Sequence, residues 1–234
     1  GEGIYVAAGT NGMTLRSLDG QSWTPNIVSP SVGWWAATYT GGKFVMVGSG
    51  GTIATSTDGL NWTLRSAPGV TDMLFGVSPG NYIVGANGAI LNSTDGANWA
   101  LQFRDPSGRA FSAVTPGALG YVAAGDNGTA DRSVLYSNSN GSTWTPQNST
   151  TAFDLNSVAF GLDLYLAVSD NGVYLTSTNL TTWKYATQSG VPTLRSVIYT
   201  RGAFFAAGAN GYIGVRTYAE PPAGFYFDEE PTSQ

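Results

Sequence analysis

A short turn sequence recurs six times along the chain and constrains the fold more than any other feature. Its copies read AAGTNGMTLRS, VGSGGTIATS, VGANGAILNS, AAGDNGTADRSVLYS, VSDNGVYLTS and AAGANGYIGVRT. The second glycine of the turn, or its equivalent, falls at Gly12, Gly51, Gly88, Gly128, Gly172 and Gly211, so the copies are 37 to 44 residues apart. A period of about 20 to 50 residues is typical of repeat architectures. The sequence therefore predicts six structural repeats.

A second motif, S-x-D-G-x-x-W, follows the turn in five repeats, and we call it the Trp-terminated motif. Its copies end at Trp23, Trp62, Trp99, Trp144 and Trp183. The Ser and Asp residues of the three regular copies are Ser17, Asp19, Ser56, Asp58, Ser93 and Asp95. These side chains suit a hairpin in which they accept backbone hydrogen bonds, while the Trp packs between sheets. Ser139 and Asn179 replace the Asp in the last two copies and Leu180 replaces the last Gly, so we expect looser hairpins there.

The segments between these motifs alternate in polarity and are rich in Val, Ile, Tyr, Phe and Thr, which is typical of strands. The second repeat reads as four strands, WWAATYT, KFVMVGS, GTIATST and NWTLRS. Asn-Gly and Gly-Gly between the second and third strands favour tight type I′ hairpins. Four strands in a period of about 40 residues predict an all-β propeller of about six blades, with five or seven as alternatives.

Both ends of the repeat pattern are incomplete. The first repeat begins with its second strand, and the sixth stops after its third. We therefore predict a propeller over residues 1–218 and a Pro-rich, acidic tail over residues 219–234. The tail segment AGFYFDE is either a linker or a strand donated to this chain or to a neighbouring subunit.

The Trp-terminated motif resembles the Asp box of bacterial neuraminidase repeat (BNR-like) propellers. Proteins with this box include sialidases, large xyloglucan-degrading enzymes, sortilin-type receptors and photosystem II assembly factors. The resemblance covers nearly the whole chain and implies the propeller fold, with the box on the face opposite the usual binding funnel. It does not imply one function, because unrelated activities occur on the same fold.

The absence of several residue types argues against catalysis. The chain has no His and no Cys, which excludes imidazole and thiol chemistry and zinc sites, so the only metal left open is a hard cation such as calcium. Residues 3–219 contain no Glu, whereas sialidases of the resembled family need one, and no F-R-I-P motif is present. A glycoside hydrolase that uses two aspartates, such as Asp126 and Asp154, is the remaining enzymatic alternative. We predict a non-enzymatic protein without a cofactor.

The charge pattern disfavours two classes of partner, nucleic acids and anionic membrane surfaces. The net charge is −5, and Lys43 and Lys184 are the only lysines. A nucleic-acid or anionic membrane surface calls for a stripe of Lys and Arg that this chain lacks. No segment approaches the roughly 20 apolar residues that span a bilayer.

The funnel face of a propeller, by the same resemblance, is formed by the turns between second and third strands and by the segments that link repeats. Aligning the first strands gives an apolar column of Trp35, Leu74, Phe111, Leu155 and Leu194. The adjacent column varies and reads Ala36, Phe75, Ser112, Asn156 and Arg195. Variation inside a regular repeat indicates where ligand contacts could lie. The funnel candidates are Trp34, Arg109, Asp154, Asn156 and Arg195; alternatively, Trp34 belongs to the core and the charged residues pair with one another.

The fourth turn is longer than the others and reads DNGTADRS. It carries Asp126, Asp131 and Arg132, which could bind calcium or a polar ligand or could form a solvated loop.

Two binding functions remain open. The first is a structural or protein-interaction platform, with other subunits or surface proteins as partners, and the recurring aromatic residues favour it because packing explains them. The alternative is a lectin that stacks sugar rings on exposed aromatic residues such as Trp34.

Low charge and abundant Ser, Thr, Asn and Gly favour an extracellular or cell-surface protein, with the periplasm as an alternative. Glycosylation sequons stand at Asn61, Asn92, Asn127, Asn140, Asn148 and Asn179.

Overall fold

The computed structural model describes residue 1 and residues 3–126, 134–217 and 228–229. The chain forms two compact units, Gly1–Phe111 and Ser112–Gln234, and each unit is built around three antiparallel sheets. The described residues contain no α-helix, and hence none with the length and apolarity needed to cross a membrane.

The first unit contains sheets 1, 2 and 3. Sheet 1 has three strands, β1 (Tyr5–Ala8), β2 (Met13–Ser17) and β3 (Thr24–Ile27). Sheet 2 has four, β4 (Trp34–Thr40), β5 (Lys43–Gly48), β6 (Thr52–Ser56) and β7 (Thr63–Ser66). Sheet 3 also has four, β8 (Leu74–Ser78), β9 (Tyr82–Gly85), β10 (Ala89–Asn92) and β11 (Ala100–Arg104). Strands that follow one another in sequence are neighbours in each sheet.

The second unit contains sheets 4, 5 and 6 in the same arrangement. Sheet 4 has β12 (Phe111–Gly117), β13 (Gly120–Gly125), β14 (Val134–Asn138) and β15 (Thr145–Pro146). Sheet 5 has β16 (Leu155–Gly161), β17 (Leu164–Ser169), β18 (Val173–Ser177) and β19 (Lys184–Thr187). Sheet 6 has β20 (Leu194–Thr200), β21 (Ala203–Gly208), β22 (Ile213–Thr217) and β23 (Asp228–Glu229).

The two terminal sheets differ at their ends. Sheet 1 begins with the second strand of its repeat, as the sequence predicts. Sheet 6 has a fourth strand, because β23 from the C-terminal segment pairs antiparallel with β22, with Glu229 opposite Gly214 and Asp228 opposite Val215. The two strand residues stand at the end of the segment AGFYFDE, whose first five residues lie outside the described ranges.

The core of each unit lies between neighbouring sheets. Val45, Val47 and Ile53 of sheet 2 pack against Ile83 and Leu91 of sheet 3. Second strands such as β5 and β17 are buried almost throughout, because both of their faces pack against other sheets. Alternating strand residues therefore supply two apolar faces per sheet.

The turns between second and third strands have the geometry that their sequence predicts. Asn87 and Gly88 have φ of 51° and 68°, and Gly50 and Gly51 have φ of 65° and 68°. A type I′ turn needs positive φ at both central residues. Glycine is also required by close approach, since a Cβ on Gly51 would overlap the carbonyl oxygen of Val70.

Candidate functional site

The Trp-terminated motif forms the hairpin between the third and fourth strands. In sheet 2, Oδ1 of Asp58 accepts hydrogen bonds from the N–H groups of Leu60 and Asn61 at 2.9 and 2.8 Å. The Ser56 hydroxyl donates to the same carboxylate and accepts from the N–H of Gly59. Asp19 and Asp95 make the equivalent bonds in sheets 1 and 3. These side chains hold the backbone of their own hairpins.

Hydrogen bonds to these three carboxylates lower their pKa values. The N–H groups of Ser22, Asn61 and Asn98 are the largest causes, and they hold the pKa of Asp19, Asp58 and Asp95, respectively, well below the usual range. A carboxylate that accepts several backbone bonds favours its ionised form. The motif is therefore poorly suited to supply a general acid.

The fourth and fifth copies of the motif keep this geometry with different residues. The prediction that Ser139 replaces the Asp was wrong: Asn140 stands four residues before Trp144 and accepts from the N–H groups of Ser142 and Thr143 at 2.9 and 2.8 Å. Asn138 takes the Ser position and accepts from the N–H of Gly141 at 2.7 Å.

In the fifth copy Asn179 accepts from the N–H groups of Thr181 and Thr182 at 3.1 and 2.8 Å, as in the regular copies. The Ser177 hydroxyl donates to Asn179 at 3.3 Å, against 2.9 to 3.0 Å in the regular copies, so this hairpin is looser, as predicted. Leu180 has the left-handed φ of 68° that glycine supplies elsewhere. Its side chain is only 3% exposed and packs with Trp183, and this burial offsets the backbone cost.

Replacing Asp58 with Asn and Asn61 with Thr is expected to make the protein less sensitive to acid. A carboxylate whose pKa is lower in the folded state contributes stability above its unfolded pKa, near 3.8, and loses it as the pH falls below that value. The double change gives sheet 2 the Asn and Thr of the fourth and fifth copies, which do not titrate. We expect a smaller fall in Tm between pH 7 and pH 3, measured by circular dichroism.

Asp163→Asn, in the exposed turn between β16 and β17, is the matched control and is expected to leave that fall close to wild type. An equal fall in the Asp58→Asn/Asn61→Thr protein and the wild type would contradict the assigned role of Asp58.

Each first strand with a determined register carries a β-bulge at the same place. The register shifts between Trp34 and Ala36 in β4, between Leu74 and Gly76 in β8, between Leu155 and Ser157 in β16, and between Leu194 and Ser196 in β20. The extra residues are Trp35, Phe75, Asn156 and Arg195, and we call them the bulge residues. Bulges re-aim a side chain and are enriched beside functional sites.

The position of the bulge corrects the predicted alignment of β4 by one residue, whereas β8, β16 and β20 were aligned correctly. Trp34, and not Trp35, belongs to the apolar column with Leu74: it is 3% exposed, and its Nε1 donates to the carbonyl oxygen of Val28 at 3.0 Å. Trp34 is therefore a core residue, and its assignment to the funnel was wrong. Trp35, and not Ala36, occupies the variable column.

The bulge residues of the first unit form an aromatic pair in which Trp35 is exposed and Phe75 is half-buried. Trp35 is 54% exposed, and its ring meets Phe75 edge to face with a centroid distance of 6.3 Å and an interplanar angle of 71°. Trp35 was missed in the sequence because the alignment placed β4 one residue out of step with the other first strands. Two consecutive Trp residues at the start of a strand are the signal that could have revealed it.

The bulge residues of the second unit are polar. Nδ2 of Asn156 donates to Oδ1 of Asp170 at 3.0 Å and to the carbonyl oxygen of Leu194 at 2.9 Å, so it links sheets 5 and 6. Arg195 is exposed. Of these two candidates, Asn156 has a structural role and Arg195 lies on the surface.

The other charged candidates for the funnel, Arg109 and Asp154, make contacts of their own. Arg109 binds both carboxylate oxygens of Asp105, at 3.0 and 2.9 Å, and the Asp105 side chain is fully buried. This pairing is the alternative that the sequence left open for Arg109. The carbonyl oxygen of Asp154 accepts from the Ser169 hydroxyl at 2.6 Å.

Of the three residues of the fourth turn that were predicted to bind calcium or a polar ligand, the structure describes one. Asp126 is half-buried at the end of the described range, whereas Asp131 and Arg132 lie outside it. No group of three Asp or Glu residues suited to a metal ion occurs in the described ranges.

The sequons differ in accessibility. Four asparagines are exposed, namely Asn61, Asn140, Asn148 and Asn179. Asn92 is partly buried inside β10, and Asn127 lies outside the described residues.

Comparisons with known proteins reveal similarity in structure alone. No protein-family model matches the sequence, and no curated protein matches it. The structure is similar to YCF48 bound to a D1 peptide, with a TM-score of 0.71 and 18% identity over 98% of this chain and 77% of that one. It is also similar to YCF48 from Cyanidioschyzon merolae, with a TM-score of 0.63 and 19% identity over 90% of this chain and 78% of that one.

A third similar structure is virginiamycin B lyase from Staphylococcus aureus, with a TM-score of 0.77 and 14% identity over the whole of this chain and 85% of that one. Identities this low indicate a common fold and no more. Six sheets, one for each repeat, together with these neighbours confirm the all-β propeller with six blades.

Proposed function

We propose that the chain is a non-enzymatic platform that binds a segment of another protein at the aromatic pair, Trp35 and Phe75. The observation that carries this proposal is the contrast between two adjacent tryptophans. Trp34 is 3% exposed and packs in the core, whereas Trp35 is 54% exposed and is placed outside the ladder by a bulge. Packing inside the fold explains the first residue but not the second.

The chemistry of the aromatic pair favours a protein partner. Trp is among the residues enriched at interface hot spots, because it supplies a large apolar area with few rotatable bonds. Charge supports the same choice, since a net charge of −5 disfavours nucleic acid. The similar YCF48 structure contains a bound D1 peptide, which is a precedent for peptide binding on this fold.

The contacts of the aspartates support two further proposals. The first is that the chain is not an enzyme, and the second is that the Trp-terminated motif is an Asp box. Asp19, Asp58 and Asp95 are occupied by hairpin bonds with the sequence and spacing of the box. Asp105 is occupied by Arg109, and Asp72 binds Arg104 at 2.7 Å. These aspartates therefore have structural partners, which supports a binding protein over a hydrolase.

Selection of peptides from a random library displayed on phage tests the proposed site. We expect peptides that bind the wild type and lose at least about tenfold in affinity for the Trp35→Ala variant, because truncating a hot-spot aromatic residue costs more than about 1.4 kcal/mol. Titration calorimetry with the synthetic peptides measures the change.

Tyr185→Ala is the matched control, because Tyr185 is also an aromatic residue on a strand and is 46% exposed. We expect its affinity to stay within twofold of wild type. Peptides that bind the Trp35→Ala variant as tightly as the wild type would contradict the site. A glycan array is run in parallel. A sugar that binds the wild type but not the Trp35→Ala variant would favour the lectin function over the protein-interaction platform.

We also propose an extracellular or cell-surface location. The support is the low charge together with four exposed sequons, at Asn61, Asn140, Asn148 and Asn179. Intact mass of the protein from its natural source, before and after enzymatic deglycosylation, tests this support. A mass that does not change on deglycosylation would remove the support that the sequons give to this location.

A further inference from the structure

The exposed indole of Trp35 carries a hydrogen-bond donor that the fold does not use. Its Nε1 makes no hydrogen bond to any residue that the structure describes. Nε1 of Trp34, by contrast, donates to the carbonyl oxygen of Val28 at 3.0 Å. An indole N–H can only donate, and covering it without an acceptor costs free energy. A partner that packs on Trp35 must therefore bring an acceptor to this N–H.

Gly33 keeps this donor uncovered. A Cβ on Gly33 would lie 4.0 Å from both Cζ2 and Nε1 of Trp35, so Gly33 stands beside the edge of the indole that carries the N–H. The equivalent residues in sheets 3 and 6 are Met73 and Thr193, because all three carbonyl oxygens accept the same backbone bond from the turn of their own sheet. A side chain at position 33 would cover the N–H, and glycine leaves it accessible.

The strands that carry the aromatic pair are uncharged. Neither β4 nor β8 contains a charged residue. Met73, which directly precedes β8, is 42% exposed and adds apolar surface at the start of that strand. An acidic or phosphorylated segment would call for a cluster of Arg residues. The aromatic pair therefore suits a neutral, apolar segment.

The bulge in β4 argues against a partner that adds a strand to the sheet. Trp34 pairs with Gly48 and Ala36 with Val47, so Trp35 interrupts the regular ladder. A bulge of this kind disturbs the edge that an added strand would need. A helix is also a poor match for the free N–H, because all but its last carbonyl groups are bonded within the helix.

We infer that the segment bound at the aromatic pair is proline-rich and in the polyproline II conformation, with one of its carbonyl oxygens accepting from the Trp35 N–H. This inference rests on the proposed peptide binding at Trp35 and Phe75. A polyproline II segment has no internal hydrogen bonds, so its carbonyl groups are free, and proline has no N–H that would need an acceptor. Its rings are neutral and apolar, and such segments dock in grooves lined by aromatic residues. The two rings, which meet at 71°, supply such a lining.

Titration calorimetry with acetylated and amidated decaproline tests the inference, because this peptide is already in the polyproline II conformation. We expect the wild type to bind it, and the Trp35→Ala variant to bind it at least about tenfold more weakly. Tyr185→Ala is again the matched control and is expected to bind like the wild type. A flexible decapeptide of alternating Gly and Ser is the peptide control and is expected not to bind.

Two further variants test the hydrogen bond by itself. Trp35→Phe keeps an aromatic ring but removes the N–H, and we expect it to lower the affinity for decaproline by about fivefold. Gly33→Thr introduces the residue of sheet 6, fits without overlap, and is expected to weaken binding to a similar extent by covering the N–H. In the Trp35→Phe protein the Gly33→Thr change should have no further effect, because no N–H remains to be covered. Circular dichroism and Tm show that the variants are folded.

Three results would overturn the inference. The first is a wild type that does not bind decaproline at millimolar concentration. The second is a Trp35→Ala variant that binds decaproline as tightly as the wild type does. The third is an unchanged affinity in the Trp35→Phe variant, because the choice of a proline segment depends on the N–H.

The peptides selected from the random phage library separate these failures from a failure of the proposed function. If they bind through Trp35 while decaproline does not, the aromatic pair remains a peptide site and only its preference for proline is wrong. If neither the selected peptides nor decaproline binds, both proposals are wrong.

Discussion

Replacing Arg109 with Met is expected to lower the free energy of unfolding by about 3 kcal/mol, because it leaves a buried carboxylate without its cation. The side chain of Asp105 is fully buried, and Arg109 supplies two charge-assisted hydrogen bonds to it. The expected loss is at the lower end for buried pairs, since Arg109 is 30% exposed and its backbone N–H still donates to Asp105 at 3.1 Å. Chemical denaturation with urea measures the change.

Arg104→Met is the matched comparison, because Arg104 binds Asp72 at 2.7 Å with 37% of its own side chain and 13% of the Asp72 side chain exposed. Both side chains are more exposed than those of the Arg109–Asp105 pair, so this variant should lose less stability. Replacing Asp105 with Leu in the Arg109→Met protein should restore part of the stability, because no unpaired buried charge remains. Equal losses for Arg109→Met and Arg104→Met would contradict the role assigned to burial.

Replacing Trp34 with Ala should destabilise the fold far more than the same change at Trp35. Trp34 is 3% exposed, packs with Met46 and Val32, and donates a hydrogen bond to Val28. Truncating a buried Trp costs about 3–5 kcal/mol, because apolar contacts are lost and a cavity remains. At about 2–4 °C per kcal/mol for a chain of this size, we expect Tm to fall by roughly 6–20 °C.

Trp35→Ala should change Tm by no more than about 2 °C, because substitutions at exposed sites usually stay within 0.5 kcal/mol. The two neighbouring residues thus separate the requirements of folding from those of binding. A larger loss of stability for Trp35→Ala than for Trp34→Ala would overturn the burial assignment and the corrected alignment of β4.

Local sequence patterns were sufficient to predict the repeat, the strands and the turns. Asn-Gly and Gly-Gly dictate positive φ at two successive residues, and alternation dictates which residues enter the core. The long-range pairing of β23 with β22 depends on tertiary packing, so the sequence could offer it only as one of two possibilities for the tail.

The errors at the site have specific physical causes. Two consecutive Trp residues open β4 and allow two alignments with the other first strands, so Trp34 and Trp35 exchanged roles in the alignment. The string SNSN allows two alignments of the fourth motif, and only the hydrogen bonds identify Asn140. The pairing of Arg109 with Asp105 spans four residues of a connecting loop, where no strand or helix period predicts which side chains meet.

In the four repeats where it occurs, the bulge separates the residue that can vary during evolution from the residues that stabilise the sheet. An inserted residue is not held by the ladder, and the four such positions already contain an indole, a phenyl ring, an amide and a guanidinium. Trp35 and Arg195 can therefore diversify without repacking the sheets, whereas Asn156 is constrained by its two bonds. A lineage built on this repeat could change what it recognises one blade at a time, and a library randomised at these positions would follow the same route.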